Sequence, residues 1–339
     1  MLAIADWMAR HEYGADEYGT GQLIDDFEHK VAAVLGKEAA VYMPSGTMAS
    51  LIALRIWADR AHNPDFGMHA TAHQELHEEL AYRKLHQLRG HVIGQEGEPL
   101  LARDLAYLDL PLSSIVIELP MREIGGRLAP WEDLQRQRQI ATSRGVRLHL
   151  DGARLWETRS FYEARSYAEI AALFDSVYVS LYKGIGGLSG AMLAGDKAFI
   201  AEARTWLARH GGTVYRQYPI VASAAMRFDA RLERMPHYYQ RALSLARSLH
   251  ALPGVAVRPE VPEVNLMHLR FDMPPHRWEA ARDTIAASER IWLGKPRAVA
   301  VQPVTDVEIY AGEGLMALSD DEVVGAYQKL LVLARMSGP

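Results

Sequence analysis

The sequence contains no cysteine, which excludes disulfide bonds, thiolate catalysis and cysteine-bound zinc. It also lacks any apolar run near the roughly 18 residues that a membrane-spanning helix requires. A formal net charge of −5 is the opposite of the basic excess that binds nucleic acid or anionic membranes. We therefore expect neither nucleic acid nor a membrane as a partner, and we expect a location in the reducing cytoplasm.

Lysine is also scarce, because only 7 of the 37 basic residues are lysines. Lys183 differs from the others: it follows the β-branched and aromatic run 177–179 and precedes the glycine-rich run 184–187. Asp151 also stands where an apolar run ends in a glycine turn. An amine and a carboxylate at two strand ends can hold a pyridoxal phosphate ring, the amine through a Schiff base and the carboxylate through the pyridinium nitrogen.

Apolar patterns typical of strands and helices alternate through the first two-thirds of the 339 residues. This alternation predicts an α/β fold with a mostly parallel wound sheet and helices on both faces. We predict a large domain over 12–225 and a smaller α+β domain over 226–339 that includes 1–11. The predicted helices are 22–35, 48–58, 71–89, 131–144, 164–174, 219–252 and 319–336, and the predicted strands are 39–42, 114–118, 146–150, 176–181, 190–194, 264–271 and 299–302.

A short turn of small residues, Ser45, Gly46 and Thr47, separates a predicted strand from a predicted helix. Free amides at a helix N-terminus bind phosphate, and small residues let the anion approach closely. The alternative is a turn that only caps the helix. The position of this turn upstream of Asp151 and Lys183 favours the phosphate interpretation.

His73 lies in a polar segment that we predict to be helical. An imidazole there can stack on a cofactor ring and move protons near neutral pH. A surface histidine is one alternative. Metal binding is another, because His69, His73 and His77 are spaced four residues apart, although the His-Glu-x-x-His order of zinc proteases is absent.

Two further charged residues follow predicted strands. Glu118 ends an apolar strand. Its side chain can reach the edge at which a wound sheet binds ligands, or it can be a solvated glutamate in a loop. Arg154 lies just beyond Asp151. Its guanidinium can bind a substrate carboxylate in a bidentate manner, or it can form an ion pair with Asp151 or a nearby glutamate.

Together these motifs resemble the threonine aldolase and β-eliminating lyase family, pyridoxal-phosphate enzymes with the seven-stranded aspartate aminotransferase fold. The similarity covers residues 17–225. It implies that Lys183 forms the Schiff base, that Asp151 holds the pyridinium and that His73 stacks on the ring. It further implies that Ser45, Gly46 and Thr47 bind phosphate with Glu118 and Arg216 on the cofactor side, and that Arg154, Tyr18 and Arg122 lie on the substrate side.

The resemblance implies cleavage of the Cα–Cβ bond of a β-hydroxy-α-amino acid to glycine and an aldehyde. It also implies a homo-oligomer, a dimer or a tetramer, with the site at the dimer interface. Two positions depart from the family pattern: Met121 stands where a histidine is usual, and Glu308 where an arginine is usual. Alternative functions are therefore β-elimination, racemisation or transamination, and beyond these a metal-dependent hydrolase or a non-catalytic ligand-binding homologue.

Overall fold

A computed structural model describes residues 2–297 and 304–336. The chain forms two compact units. The first contains the residues up to Met121 together with Leu128–Arg234, and the second contains Arg122–Arg127 and the residues from Met235 onward. The N-terminal helix thus belongs to the first unit, whereas the sequence placed residues 1–11 with the small domain. The sequence-based division at residue 225 stays a prediction.

Strands of the first unit form one sheet, and most of their side chains are buried, as expected for a sheet covered on both faces. The strands are β1 (Ala39–Met43), β2 (Asp65–His69), β3 (Arg89–Ile93), β4 (Ser114–Glu118), β5 (Arg147–Gly152), β6 (Ser176–Ser180) and β7 (Ala191–Gly195).

The seven strands are arranged in the order β1-β7-β6-β5-β4-β2-β3. The neighbours from β6 to β3 pair in parallel, whereas β7 runs antiparallel to both β6 and β1. The predicted mostly parallel, seven-stranded sheet is therefore confirmed. Parallel strands place their carboxyl ends on one edge, which is where wound sheets bind ligands.

Helices connect the strands and close with recognisable caps. For example, the second helix ends at Gly36, which has φ 59° and donates its amide to the last turn, a conformation that glycine adopts without strain. The helices are α1 (Leu2–Arg10), α2 (Gln22–Leu35), α3 (Gly46–Ala61), α4 (His73–Leu76), α5 (Ala81–His86), α6 (Ala102–Ala106), α7 (Trp131–Ser143), α8 (Tyr167–Ala171), α9 (Lys197–Arg209), α10 (Tyr218–Ala225), α11 (Phe228–His250), α12 (Pro275–Glu289), α13 (Glu313–Met316) and α14 (Asp320–Met336).

The register of the central strands brings reactive side chains to the carboxyl edge of the sheet. Glu118 of β4 pairs with Asp151 of β5, and Asp151 pairs with Tyr178 of β6. Directly opposed residues in neighbouring strands point to the same face of a sheet. An acid, a second acid and a phenol therefore lie side by side.

The predicted helix over 71–89 is wrong. Two short helices, α4 and α5, occupy this segment, and Glu79 and Leu80 between them have φ of 51° and 56°. Gly90 does not close a helix but lies in β3, where a Cβ would come within 2.6 Å of Met68 Cε. A glycine is required at this position because the strand packs closely against Met68, and not because a helix ends there.

The predicted long helix over 219–252 is divided into α10 and α11. The strands β2 and β3 and the helix α9 were not among the predicted elements. The predicted strand over 299–302 lies outside the described residues.

The second unit contains the strands β8 (Val255–Arg258), β9 (Leu266–Phe271), β10 (Pro296–Arg297) and β11 (Thr305–Tyr310). They form an antiparallel sheet in the order β10-β11-β9-β8. Its core packs Phe271, Trp278 of α12 and Tyr327 of α14 together, and the Phe271 and Tyr327 rings stack with centroids 5.8 Å apart. No helix within 2–297 and 304–336 is both long and apolar enough to cross a bilayer.

Candidate active site

Asp151 lies at the carboxyl end of β5 and is only 3% exposed. Two neutral groups donate hydrogen bonds to its carboxylate. The amide Nε2 of Gln74 lies 3.1 Å from Oδ2, and the backbone N–H of Ala153 lies 3.1 Å from Oδ1. These donors give hydrogen bonds to a carboxylate that has lost most of its contact with water.

Lys183 follows β6 in the glycine-rich loop that the sequence singled out. Burial lowers the pKa of its amine, and the negative charge of Asp151 opposes that shift. Arg154, Glu118 and Glu157 also act electrostatically on the amine. A buried amine with a lowered pKa is a better nucleophile at neutral pH than a surface lysine, because more of it is unprotonated.

His73, the first residue of α4, forms a close pair with a buried carboxylate. Its Nδ1 lies 2.8 Å from Oε1 of Glu78, whose side chain is 1% exposed, while the imidazole is 39% exposed. The hydrogen bond to Glu78 raises the pKa of His73, and Asp151 adds to that increase. Because Nδ1 faces the carboxylate, Nε2 is the nitrogen that is available to a ligand.

The turn before α3 is built as a helix N-terminus. Ser45 is extended at the N-cap, and its Oγ accepts a hydrogen bond from the Met48 amide at 3.3 Å. Gly46 leaves no room for a side chain, because a Cβ there would lie 1.9 Å from Tyr178 Oη. Thr47 hydrogen-bonds Glu78, the partner of His73. The turn, the imidazole and the sheet edge thus meet in one place.

Arg154 is nearly buried beside a carboxylate that the sequence analysis did not single out. Its side chain is 12% exposed, and one terminal nitrogen lies 3.6 Å from Oε1 of the fully buried Glu157. An ion pair with a nearby glutamate was one of the alternatives that the sequence left open for this arginine. The pairing holds the guanidinium close to Lys183.

Tyr18 and Arg216 form a separate cluster in the first unit around Tyr215. The Tyr18 and Tyr215 rings meet edge to face with centroids 5.2 Å apart. Arg216 covers the Tyr215 ring, donates to the Asp16 carbonyl and lies 3.2 Å from Glu17 Oε1. Their hydrogen bonds and ring contacts are thus with one another and with the N-terminal segment.

Arg122 belongs to the second unit, where it is held by two glutamates. Its Nε lies 2.6 Å from Glu308 Oε2, and a terminal nitrogen lies 2.9 Å from Glu123 Oε1. Glu308 is the residue that stands where the family usually has an arginine. Met121, the other departure from the family pattern, is 3% exposed.

The histidine segment does not have the helical spacing that a metal site required. His69 ends β2 and bonds Thr71 Oγ1 through Nδ1, whereas His73 begins α4. Over residues 2–297 and 304–336, no three histidine or acidic side chains are grouped so that they can hold a metal ion. The four-residue spacing in the sequence therefore does not place the three imidazoles on one helical face.

The sequence analysis missed three residues of this region: Gln74, Tyr178 and Glu157. Tyr178 was noted only as part of the β-branched and aromatic run before Lys183, and Glu157 and Gln74 looked like ordinary polar residues of their segments. Gln74 and Tyr178 act on residues far away in the sequence, so periodicity gives no signal for them. Glu157 pairs with Arg154 three residues before it, and this spacing is the signal that could have identified it. For Tyr178, the strand register with Asp151 is the signal that identifies it once the sheet is known.

Comparison with known proteins places this site in a family. Residues 1–272 match the family described as beta-eliminating lyase. Low-specificity L-threonine aldolase 1 of Arabidopsis thaliana is 27% identical over 280 residues, which cover 80% of this chain and 78% of that protein.

Two crystal structures are more similar. One, from Listeria monocytogenes and described as a candidate L-allo-threonine aldolase, is 38% identical, with a TM-score of 0.89 over 97% of this chain and 92% of its own. The other, from Exiguobacterium and described as a candidate aromatic amino acid β-eliminating lyase or threonine aldolase, is 37% identical, with a TM-score of 0.91 over 98% and 94%.

A wound sheet with a half-buried lysine and a buried aspartate at its carboxyl edge is typical of pyridoxal-phosphate-dependent enzymes with the aspartate aminotransferase fold. The chain is a lyase of this class. It belongs to the β-eliminating lyase family, which confirms the family predicted from the sequence motifs.

Proposed function

We propose that the protein cleaves the Cα–Cβ bond of a β-hydroxy-α-amino acid to glycine and an aldehyde, with pyridoxal 5'-phosphate as cofactor. The observation that carries this proposal is the pair formed by half-buried Lys183 and buried Asp151, in which the carboxylate acts electrostatically on the amine. The Arabidopsis relative named as a low-specificity L-threonine aldolase supports the reaction type. When bound, the cofactor supplies an electron sink that stabilises negative charge at Cα.

The residues present fit this cofactor. In our proposal Lys183 is its covalent attachment point and Asp151 pairs with its ring nitrogen, since neutral donors leave the carboxylate negative charge uncompensated. Ser45, Gly46 and Thr47 at the N-terminus of α3 bind the phosphate through amides and hydroxyls. We assign Glu118 to the cofactor side as well, because it is the register partner of Asp151. The role of Arg216 at the phosphate stays a prediction.

Proton transfer falls to His73 in this proposal. Glu78 accepts a hydrogen bond from Nδ1–H, so in the neutral imidazole Nε2 carries no proton and can take the proton from the substrate β-hydroxyl as the carbon–carbon bond breaks. His73 would also be the stacking partner of the cofactor ring. Lys183 Nζ, whose lowered pKa favours rapid exchange of its proton, returns a proton to Cα before glycine leaves.

Substrate recognition is proposed for Arg154, whose guanidinium would pair with the amino acid carboxylate. Its position is fixed by Glu157 before substrate arrives, which reduces the entropy lost on binding. Tyr18 and Arg122 are proposed on the substrate side from the family resemblance alone.

A substrate panel tests the reaction. Purified protein reconstituted with pyridoxal phosphate is incubated with β-hydroxy-α-amino acids, and glycine and aldehyde are both quantified. Equal amounts of the two products are expected, and Lys183→Ala should abolish them. Borohydride should fix the cofactor to Lys183, which peptide mass spectrometry detects. Absence of cleavage across the panel would contradict the proposed reaction.

A second candidate reaction is β-elimination on the same cofactor. The buried Met121 favours it, because a thioether cannot recognise a substrate hydroxyl as the usual histidine is implied to do. Release of ammonia and a keto acid without glycine would support this candidate. Entry of solvent deuterium at Cα without cleavage would instead indicate racemisation, and formation of the aminated cofactor would indicate transamination.

We further propose a homo-oligomer, a dimer or a tetramer, in the cytoplasm. The first unit exposes several large aromatic side chains, among them Tyr18, Tyr182 and Tyr215 at 61%, 44% and 50% exposure. Exposed aromatic side chains of this kind are typical of surfaces that another chain covers. Size-exclusion chromatography with light scattering measures the assembly, and cell fractionation measures the location.

A further inference from the structure

The side chain of Gln74 is fully buried next to the proposed cofactor site, although no catalytic role requires a glutamine there. Its Nε2 donates to Asp151 Oδ2 at 3.1 Å. Its Oε1 is buried and has no hydrogen-bond partner among the described residues. An ionised carboxylate can only accept hydrogen bonds, so Asp151 alone determines which end of the amide faces it.

Two other carboxylates of the first unit, one buried and one largely buried, are stabilised by arginines instead. Glu28 is paired with Arg204, and Asp175 lies 2.6 Å from a terminal nitrogen of Arg138. An arginine contributes a full positive charge, which neutralises the carboxylate and would compete with a second cation. Gln74 instead orients Asp151 with a dipole and leaves its negative charge available.

The placement of Gln74 also links two parts of the site. It follows His73 directly on α4, so this short helix carries one side chain next to Glu78 and another against the carboxylate of β5. The Ala153 amide holds the other carboxylate oxygen, at 3.1 Å. With one donor on each oxygen, the plane of the carboxylate is fixed.

We propose that Gln74 is a positioning residue that fixes the orientation of the Asp151 carboxylate towards the ring nitrogen of the cofactor. The inference rests on the proposed function, since it assumes that pyridoxal phosphate binds at Asp151. Gln74 touches neither substrate nor reacting atoms in this proposal and acts only through the aspartate.

The test compares pyridoxal phosphate binding to two apoprotein variants. Gln74→Met keeps the length and apolar volume of the side chain but removes the donor. Gln137→Met is the matched control, because Gln137 is also buried, donates to Asp133 at 2.8 Å and leaves its Oε1 unpartnered. Gln74→Met is expected to bind the cofactor about tenfold more weakly than wild type, and Gln137→Met equally well.

A spectroscopic readout separates positioning from mere packing. A protonated ring nitrogen lowers the pKa of the lysine linkage, so loss of Gln74 should move the pH midpoint of the bound cofactor's absorbance change upward. Combining Gln74→Met with Asp151→Asn should weaken binding no further than Asp151→Asn alone, because the glutamine then has no carboxylate to orient.

Full additivity of the two substitutions, or unchanged affinity and unchanged absorbance titration in folded Gln74→Met, would overturn the proposal. If Gln74→Met does not fold, Gln74→Asn gives the same test, since its shorter amide cannot reach Oδ2. Failure of the proposed function is a different outcome: wild-type protein itself would then bind no pyridoxal phosphate.

Discussion

His73 and Glu78 form a carboxylate–imidazole pair in which Nδ1 and Oε1 are 2.8 Å apart, with the carboxylate buried and the imidazole partly exposed. The glutamate fixes the tautomer of the histidine and raises its pKa. Proton transfer at the substrate would therefore depend on a residue that touches neither substrate nor cofactor.

Glu78→Gln should lower the pKa of His73, because the negative partner that favours the imidazolium is lost. A base acts in its unprotonated form, so the acidic limb of the pH profile of kcat/KM is expected to move to lower pH. Glu75→Gln is the control, since that glutamate lies on the same turn but bonds Tyr82. Superimposable profiles for Glu78→Gln and wild type would contradict a proton-transfer role for His73.

Gly46→Ala should destabilise the protein and weaken cofactor binding together. A Cβ would lie 1.9 Å from the hydroxyl of Tyr178, which is 4% exposed and cannot swing away. Overpacking of this kind costs about 1–3 kcal/mol. The free energy of unfolding from urea titration and the affinity for pyridoxal phosphate are the measurements.

The control for this substitution is Gly325→Ala in α14, where a Cβ would meet nothing within 4 Å. That change should stabilise the protein by about 0.5–1 kcal/mol, because alanine is the better helix former. Equal effects of the two substitutions would show that helix propensity, and not the contact with Tyr178, governs position 46.

His149 should make the protein less stable in acid. Complete burial lowers its pKa to about 4, whereas an unfolded histidine titrates near 6.5. Between these values the unfolded state binds more protons, so stability falls as pH falls, by about 1.4 kcal/mol per pH unit for one such group.

Urea unfolding of the apoprotein at pH 7 and pH 5 measures this dependence. His149→Asn should lose less stability than wild type over that interval, whatever its stability at pH 7. His86, whose pKa burial also lowers to about 4, contributes a similar slope that remains in the variant. An equal loss of stability between pH 7 and pH 5 in His149→Asn and in wild type would show that His149 does not limit acid stability.

Arg154→Lys should raise KM for the amino acid about tenfold while leaving cofactor affinity unchanged. Lysine keeps the charge but cannot form the two parallel hydrogen bonds that a carboxylate makes with a guanidinium. Arg159→Lys is the comparison, because that guanidinium donates to backbone carbonyls of the same region. A fall in kcat alone would argue against a role in carboxylate binding.

Much of the sheet could be predicted from the sequence. The strand Ser114–Glu118 and the helix Gln22–Leu35 have the predicted bounds, because their apolar patterns are long and are bounded by clear turn residues. The wrong prediction of one helix over 71–89 has a physical cause. The residues of this segment fit a helical pattern, but two of them have positive φ, which interrupts the helix. Local periodicity does not report such breaks.

The lysine, the aspartate and the helix N-terminal turn could be found because strand-to-turn transitions mark them in the sequence. Gln74 could not, because its function arises only when α4 packs against the end of β5, a contact between residues 77 positions apart. Arg216 illustrates the converse, since a motif suggested a phosphate ligand and its contacts are with the N-terminal segment.

The pairing of Glu118, Asp151 and Tyr178 has a consequence for protein engineering. Inserting or deleting one residue within β4, β5 or β6 would turn every later side chain of that strand to the opposite surface and carry its reactive group away from the other two. The lengths of all three strands together therefore fix the relative positions of the three side chains. Variation in length should survive in the connections that follow them, and libraries aimed at new substrates are best confined to those connections.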